Sequence, residues 1–198
     1  MKRILKPPST FPVKSPMASL VILAAVCGIL ISTLHAVTRS TIAGNQQIFA
    51  AKQLKEVLGD PTQDIVKLTD ELYYTMSENG LSGFIFQHTT HEGYNGTIKS
   101  WIAVDLHQVI RGVRVFEHHE TPGIGDKIEI NVSSWIKHFN RKSLNTSSWS
   151  LTKHGGTFDH FTGATITSRA MVKAVESGLT RAQDEAVEWT KMAENNSD

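Results

Sequence analysis

A single cysteine, Cys27, occurs in the 198 residues, and it lies inside an apolar run. A lone thiol forms no internal disulfide and cannot assemble the thiolate set of an iron–sulfur cluster. The chain has no surplus of charge either: 20 Lys and Arg stand against 19 Asp and Glu. That balance carries no electrostatic footprint for nucleic acid. No Gly-rich dinucleotide fingerprint follows a strand-like stretch, so a nucleotide held by a Rossmann unit is not expected. Internal repeats are absent, and only one long uncharged run is present. What remains is a chain with room for one membrane segment and one compact domain.

Charge is scarce in one place for a reason. The first forty residues hold Lys2, Arg3, Lys6, Lys14 and Arg39 and no acid, leaving 15 basic against 19 acidic residues in the rest. After this basic leader (residues 1–16), Met17 to Leu34 is uncharged and rich in Leu, Ile, Val and Ala. With Ala36 and Val37 it approaches the ~20 residues that span a bilayer core. A cleaved signal peptide has a similar start, but a cut after Ala36 would put Leu34 where a small residue is needed. The expectation is an uncleaved transmembrane helix over residues 17–37. The basic flank places the N-terminus in the cytoplasm and the following domain outside.

Residues 38–58 read as a juxtamembrane helix stopped by Gly59-Asp60-Pro61. The helical or irregular reading continues over Asp64 to Met76, giving a juxtamembrane helical segment over residues 38–80. From Leu81 the residue types change. Gly83 to Phe86, Thr97 to Val104 and Val109 to Phe116 carry the β-branched and aromatic residues of strands. Gly93-Tyr94-Asn95-Gly96 and Asp105-Leu106-His107-Gln108 read as turns. Ser133 to Phe139 reads as a short capped helix, and Trp149 to Lys153 as a further strand ended by Gly155-Gly156. A last helix sets Ile166, Ala170, Ala174 and Gly178 on one row and Met171, Val175, Leu179 and Ala182 on the next. Antiparallel strands with flanking helices make an α+β domain over residues 81–185, followed by a polar tail at 186–198.

The segment richest in chemistry is Asp159-His160-Phe161-Thr162-Gly163-Ala164-Thr165, followed by Ile166-Thr167-Ser168. It hands a turn over to a helix, with Thr162, Thr165, Thr167 and Ser168 placing four hydroxyls near the helix start. Unpaired N–H groups and the helix dipole favour an anion there, so a phosphate is the expected ligand. An ordinary threonine-capped helix would carry some of the same residues.

The segment also resembles the flavinylation motif Asp-x-x-(Ser/Thr)-Gly-Ala-Thr, matched at Asp159, Thr162, Gly163, Ala164 and Thr165. Upstream, Glu117-His118-His119-Glu120-Thr121-Pro122-Gly123-Ile124-Gly125-Asp126-Lys127 resembles a second signature in the same order. Together they resemble the G component of the Rnf/Rsx-type electron transport complex, related to the C component of the sodium-pumping NADH:quinone reductase. The resemblance implies an FMN-binding domain with FMN joined covalently to Thr165 through its phosphate by a flavin transferase. Thr162, Gly163, Ala164 and Asp159 belong to the motif, while Glu120 and Thr121 would face the ring or its ribityl chain. Tyr94 offers an aromatic wall, although a core tyrosine reads equally well. Thr167 is the competing acceptor.

The resemblance further implies an electron carrier in a bacterial inner membrane complex that couples electron transfer to ion movement. Its partners would be the other proteins of that complex, the transferase and the membrane, with the flavin domain in the periplasm. The other class of function is a non-redox module that binds FMN or another phosphate ligand as sensor or scaffold. A metal at Glu117-His118-His119-Glu120 is not expected, because successive residues on a strand point in different directions. No residue is expected to be catalytic in the stand-alone sense.

Overall fold

A computed structural model describes residues 16–60 and 62–196; the side chains of Pro16 and of residues 34–52 lie outside that description. The basic leader therefore falls almost wholly outside the described residues. The chain divides into two compact units, Met1–Phe49 and Ala50–Asp198.

In the first unit the described part is helix α1 (Pro16–Leu58), whose last turns belong to the second unit. Its apolar side chains from Met17 to Ile31 are exposed, Leu20, Ile22, Ile29 and Ile31 by more than 60 % each. Among the described residues no helix is long and apolar enough to cross a membrane. Of the span expected at 17–37, the helix is present, and the side chains of 34–37 lie outside the described residues.

The second unit is built on a five-stranded antiparallel meander: β1 (Asp64–Lys67), β2 (Leu72–Ser77), β3 (Gly80–Gly93), β4 (Gly96–Asp105) and β5 (Ile110–His118). The stretch 64–77, read from sequence as helical or irregular, supplies the first two strands, so the sheet begins well before residue 81. The reason is a period of two at Leu72 and Tyr74, which are buried while Tyr73 between them is half-buried on the opposite face. Leu68 and Thr69 donate their N–H groups to the Leu72 carbonyl at 3.0 Å each, turning the chain around Asp70.

Alternation divides the sheet between two cores. Phe84, Phe86, Ile102 and Val113 face helix α2 (Thr165–Asn195), meeting Met171, Val175 and Leu179. Ile85, Trp101 and Ala103 face the other way and are covered by Leu54, Val57 and Leu58 at the end of α1. That end lies directly on β5, because a Cβ on Gly112 would collide with the Val57 carbonyl oxygen. Gly59, with φ +66, stops the helix where the sequence predicts.

Two other expectations need correcting. Trp149 to Lys153 is not a strand: Leu151 forms one parallel bridge to Phe158, and Thr152–His154 is a 3₁₀ turn. Gly155 at φ +79 and Gly156, packed on the Ser150 carbonyl, fold the segment back on itself. The residues after 185 are not a polar tail. Helix α2 runs to Asn195, and Trp189 packs on Phe84 and Phe86 with ring centroids 5.6 and 5.1 Å away. One buried aromatic and Ala193 suffice to fix those turns, although the residues around them are polar.

His88 sits on β3 against α2, close enough that a Cβ on Gly178 would lie 3.4 Å from its Cγ. Burial, aided by the Arg181 charge, pushes its imidazole below the usual value. The folded state then binds fewer protons than the unfolded state around that range. Stability is full above the ordinary histidine value near 6.5 and declines as pH falls through the lowered one. Denaturant titrations at stepped pH should show this decline, and His88→Gln should flatten it.

Candidate functional site

Three elements converge at the end of the sheet where β3 turns into β4, β5 ends and α2 begins. The first is the turn into α2. Phe158 and Phe161 are buried and hold the intervening Asp159-His160 against the domain. The Trp135 indole N–H donates to the Asp159 carbonyl at 2.9 Å, and Phe161 N–H donates to Ser168 Oγ at 3.0 Å. The Ser168 hydroxyl donates in turn to the Ala164 carbonyl at 3.0 Å. Ser168 thus staples the turn to the first turn of the helix it precedes. Gly163, at φ +87, makes the reversal that a side chain would strain.

The residue capping α2 is Ala164, which has no side-chain oxygen to accept from the first-turn N–H groups. Those donors and the positive end of the dipole therefore stay available to an outside anion. Thr165, the first helical residue, is half-buried and lines the cleft beside it. Thr167 is 1 % exposed, and its hydroxyl donates to Glu120 Oε2. The two competing hydroxyls are thus in different situations: one borders open space and the other is enclosed and engaged.

The second element is the loop after β5. Ile124 and Gly125 donate N–H groups to the Thr121 carbonyl at 3.1 and 2.9 Å, and Gly123 N–H donates to Asp126 Oδ2 at 2.8 Å. Glu120, 4 % exposed, points inward. Its N–H donates to His118 Nδ1 at 3.0 Å, so that nitrogen carries no proton. The proton sits on Nε2, which donates to Glu129 Oε1 at 2.6 Å. Both ring nitrogens of His118 are occupied by protein partners.

The third element is the hairpin tip. Tyr94 is 66 % exposed and lines the cleft. Asn95 N–H donates to Glu120 Oε1 at 3.0 Å, and its side-chain amide donates to the His119 carbonyl at 2.9 Å and to Thr121 Oγ1 at 3.3 Å.

Together these elements enclose a cleft of about 390 Å³ lined by Tyr94, Glu120, Thr121, Gly163, Ala164 and Thr165, with Ile124, Gly125, Ile166 and Thr167. The volume lies in the ~300–1,000 Å³ range of small-molecule sites. Of the residues singled out in the sequence, Asp159 and Thr162 do not line it; both are exposed on the turn outside. Sequence reasoning passed over Asn95, Ile124 and Ile166. Asn95 reads locally as a turn residue, and its contacts lie 24 to 26 positions away. Gly125, on the cleft wall, leaves no room for a side chain: a Cβ there would stand 2.9 Å from Glu120 Oε2.

An antiparallel sheet with a cleft that offers an uncapped helix end, hydroxyls and an aromatic wall defines a phosphate-bearing cofactor domain. The FMN-binding domain family matches it over residues 93–180. Over a longer stretch the chain is similar to the G component of the ion-translocating oxidoreductase complex of Aliivibrio fischeri (strain MJ11). The two are 37 % identical over 179 residues, covering 81 % of this chain and 85 % of that protein. The corresponding protein of Shewanella amazonensis is 34 % identical over 185 residues, covering 84 % and 86 %. That of Haemophilus influenzae (strain PittEE) is 44 % identical over 105 residues, 52 % of this chain and 51 % of that protein. The chain belongs to the family of G components of ion-translocating oxidoreductase complexes.

The residues fit an FMN group. The uncapped start of α2, with the Thr165 hydroxyl beside it, suits a phosphate, Tyr94 suits a flat ring, and the Thr121 hydroxyl can meet a ribityl chain. Because Gly125 has no room for a Cβ, Gly125→Ala should displace the Glu120 side chain and destabilise the domain by about 1–3 kcal/mol. Gly123, whose Cβ would meet nothing within 4 Å, offers the contrast: Gly123→Ala is strained only by its φ of +77. Urea titrations of the two variants should differ in midpoint, Gly125→Ala unfolding first.

Proposed function

We propose that this chain is a membrane-anchored flavoprotein that carries FMN as a phosphoester on Thr165. It would relay electrons within an ion-translocating redox complex. The observation that carries the reading is the contrast between two hydroxyls. Thr165 occupies the acceptor position of the motif and borders the cleft at an uncapped helix start, while Thr167 is enclosed and donates to Glu120. A phosphodiester keeps about one negative charge, which a helix N-terminus stabilises by ~0.3–1 kcal/mol. Bound FMN supplies electron acceptance and donation; the chain binds, orients and exposes it.

Asp159 fits the maturation step. Its carbonyl is held by Trp135, whereas its side chain is exposed, with no side-chain hydrogen bond among the described residues, and is reachable by a flavin transferase. On this reading Thr162 and Gly163, exposed on the same turn, belong to the recognised surface. The other proteins of the complex are the partners, and the domain lies on the outer, periplasmic face of the inner membrane. The uncharged run from Met17 and the basic residues before it support the anchor and its direction.

Co-expression with a flavin transferase, followed by intact-mass and peptide mass spectrometry, tests the assignment. An FMN adduct should appear on Thr165, vanish in Thr165→Ala and persist in Thr167→Val. Asp159→Ala should fold and remain largely colourless. An adduct on Thr167, or full modification of Asp159→Ala at the wild-type rate, would sink these roles. A folded chain that never acquires flavin would favour the sensor or scaffold reading.

Neutralising Lys2, Arg3, Lys6 and Lys14 and adding lysines after Val37 should retain part of the domain inside. If the transferase is exported, that form should lack covalent flavin although Thr165 is intact. Unchanged flavin fluorescence on a denaturing gel, with inversion verified by protease protection, would refute the proposed orientation.

A further inference from the structure

Each oxygen of the Glu120 carboxylate is engaged by the protein itself. Oε1 accepts the Asn95 N–H at 3.0 Å, and Oε2 accepts the Thr167 hydroxyl. The surroundings are shaped around it: a Cβ on Gly93 would stand 2.8 Å from Oε1, and one on Gly125 2.9 Å from Oε2. Glu120 is 4 % exposed, and what it does show faces the cleft it helps to line.

The two donors belong to different walls of the cleft. Asn95 follows Tyr94 on the hairpin tip, and Thr167 follows Thr165 by two residues on the first turn of α2. They are 25 and 47 positions from Glu120 in sequence. Asn95 reinforces the junction by donating its side-chain amide to the His119 carbonyl and Thr121 Oγ1. His118 reinforces it by accepting the Glu120 N–H.

We infer that Glu120 is a positioning residue that fixes the separation between the Tyr94 hairpin tip and the Thr165 turn, and that it does not bond the flavin. What the latch serves rests on the flavin reading of the site; the latch itself is a property of the chain. The carboxylate acts through its neighbours, so its negative charge is dispensable provided both hydrogen bonds survive. A glutamine there keeps them. Its oxygen accepts from Asn95 N–H, and its amide donates to Thr167 Oγ1, whose lone pairs are free to accept. An alanine loses both.

The test uses the full chain, purified with and without a co-expressed flavin transferase. Two measurements are made: hydrogen exchange at the Asn95 amide and visible circular dichroism of the bound flavin, which reports how the ring lies against Tyr94. A hydrogen bond to a charged group contributes about 1.5–3 kcal/mol, so Asn95 should exchange at least about tenfold faster in Glu120→Ala. The flavin dichroism of that variant should change as well. Thr167→Val, which removes one donor at constant shape, should move the dichroism in the same direction, and the double variant should go no further than Glu120→Ala. Glu120→Gln should keep the wild-type flavin dichroism and speed Asn95 exchange less than Glu120→Ala does, because a neutral acceptor holds the N–H more weakly than a charged one.

The inference is overturned if Glu120→Gln alters the flavin dichroism while Asn95 stays protected, since that pattern marks a direct ring ligand. It is equally overturned if Thr167→Val leaves the dichroism untouched when Glu120→Ala changes it. If Glu120→Ala fails to fold, the glutamine and valine variants decide alone. Flavin absent from every preparation would refute the flavin reading, and Asn95 exchange in the flavin-free chain would still decide the latch.

Discussion

Burying a carboxylate is costly unless hydrogen bonds replace its water, and the site end of this domain is organised around one that is buried. Glu120 meets that requirement with donors drawn from two remote segments. Removing either donor would leave an under-satisfied buried group, so the three segments are held together by the penalty for separating them. Two glycines that cannot accept a Cβ, Gly93 and Gly125, are part of the same constraint. Thr167 could compete with Thr165 for a phosphate only by giving up its bond to Glu120. The junction therefore shapes the cleft and discriminates between the two hydroxyls at once.

The sheet explains why the junction lies where it does. Strand β2 pairs with β3 only as far as Phe86, whereas β3 continues to Gly93 with β4 as its remaining partner. The β3–β4 hairpin thus overhangs its neighbour on one side. On the other side β5 runs beside it to His118, paired with Ile98. The overhang carries Tyr94 and Asn95 beyond the main core, to the level where α2 starts. At ~3.4 Å per residue, His118 lies roughly 20 Å along β5 from Gly112, the point where α1 rests on the sheet. The candidate site and the docked helix end are thereby at different places along one strand.

Much of this was legible in the sequence because it is local. The strands from Gly83 onward, the stop at Gly59, the cap at Ser133 and the apolar rows of α2 are encoded in short windows of period and residue type. The motif residues from Thr162 to Thr165 mark the turn into α2 for the same reason. What sequence reading missed depends on partners far along the chain. Strands β1 and β2, four and six residues long, are too short to show their period without β3 beside them. Trp189 fixes the end of α2 only because Phe84 and Phe86 are there to receive it. Asn95 is an ordinary turn residue until Glu120, His119 and Thr121 are brought against it.

The cleft that results is open. Tyr94, Ile124 and Ile166 on its rim are 66 %, 46 % and 49 % exposed, an apolar edge that a flat ring could share without being enclosed. For an electron carrier this openness has two opposing consequences. A ring left reachable can exchange electrons with partner proteins, yet an open site gives up the buried area that would hold a cofactor without a bond. Domain closure would restore retention at the expense of access. The proposed ester on Thr165 separates the two demands, because retention then depends on one covalent link at the helix-start end of the cleft and access on the rim. On the proposed reading, a fixed separation between the Tyr94 wall and the Thr165 attachment point is what keeps a tethered ring in one orientation. That is the part a covalent tether cannot supply, and the hydrogen bonds of Glu120 are placed to supply it.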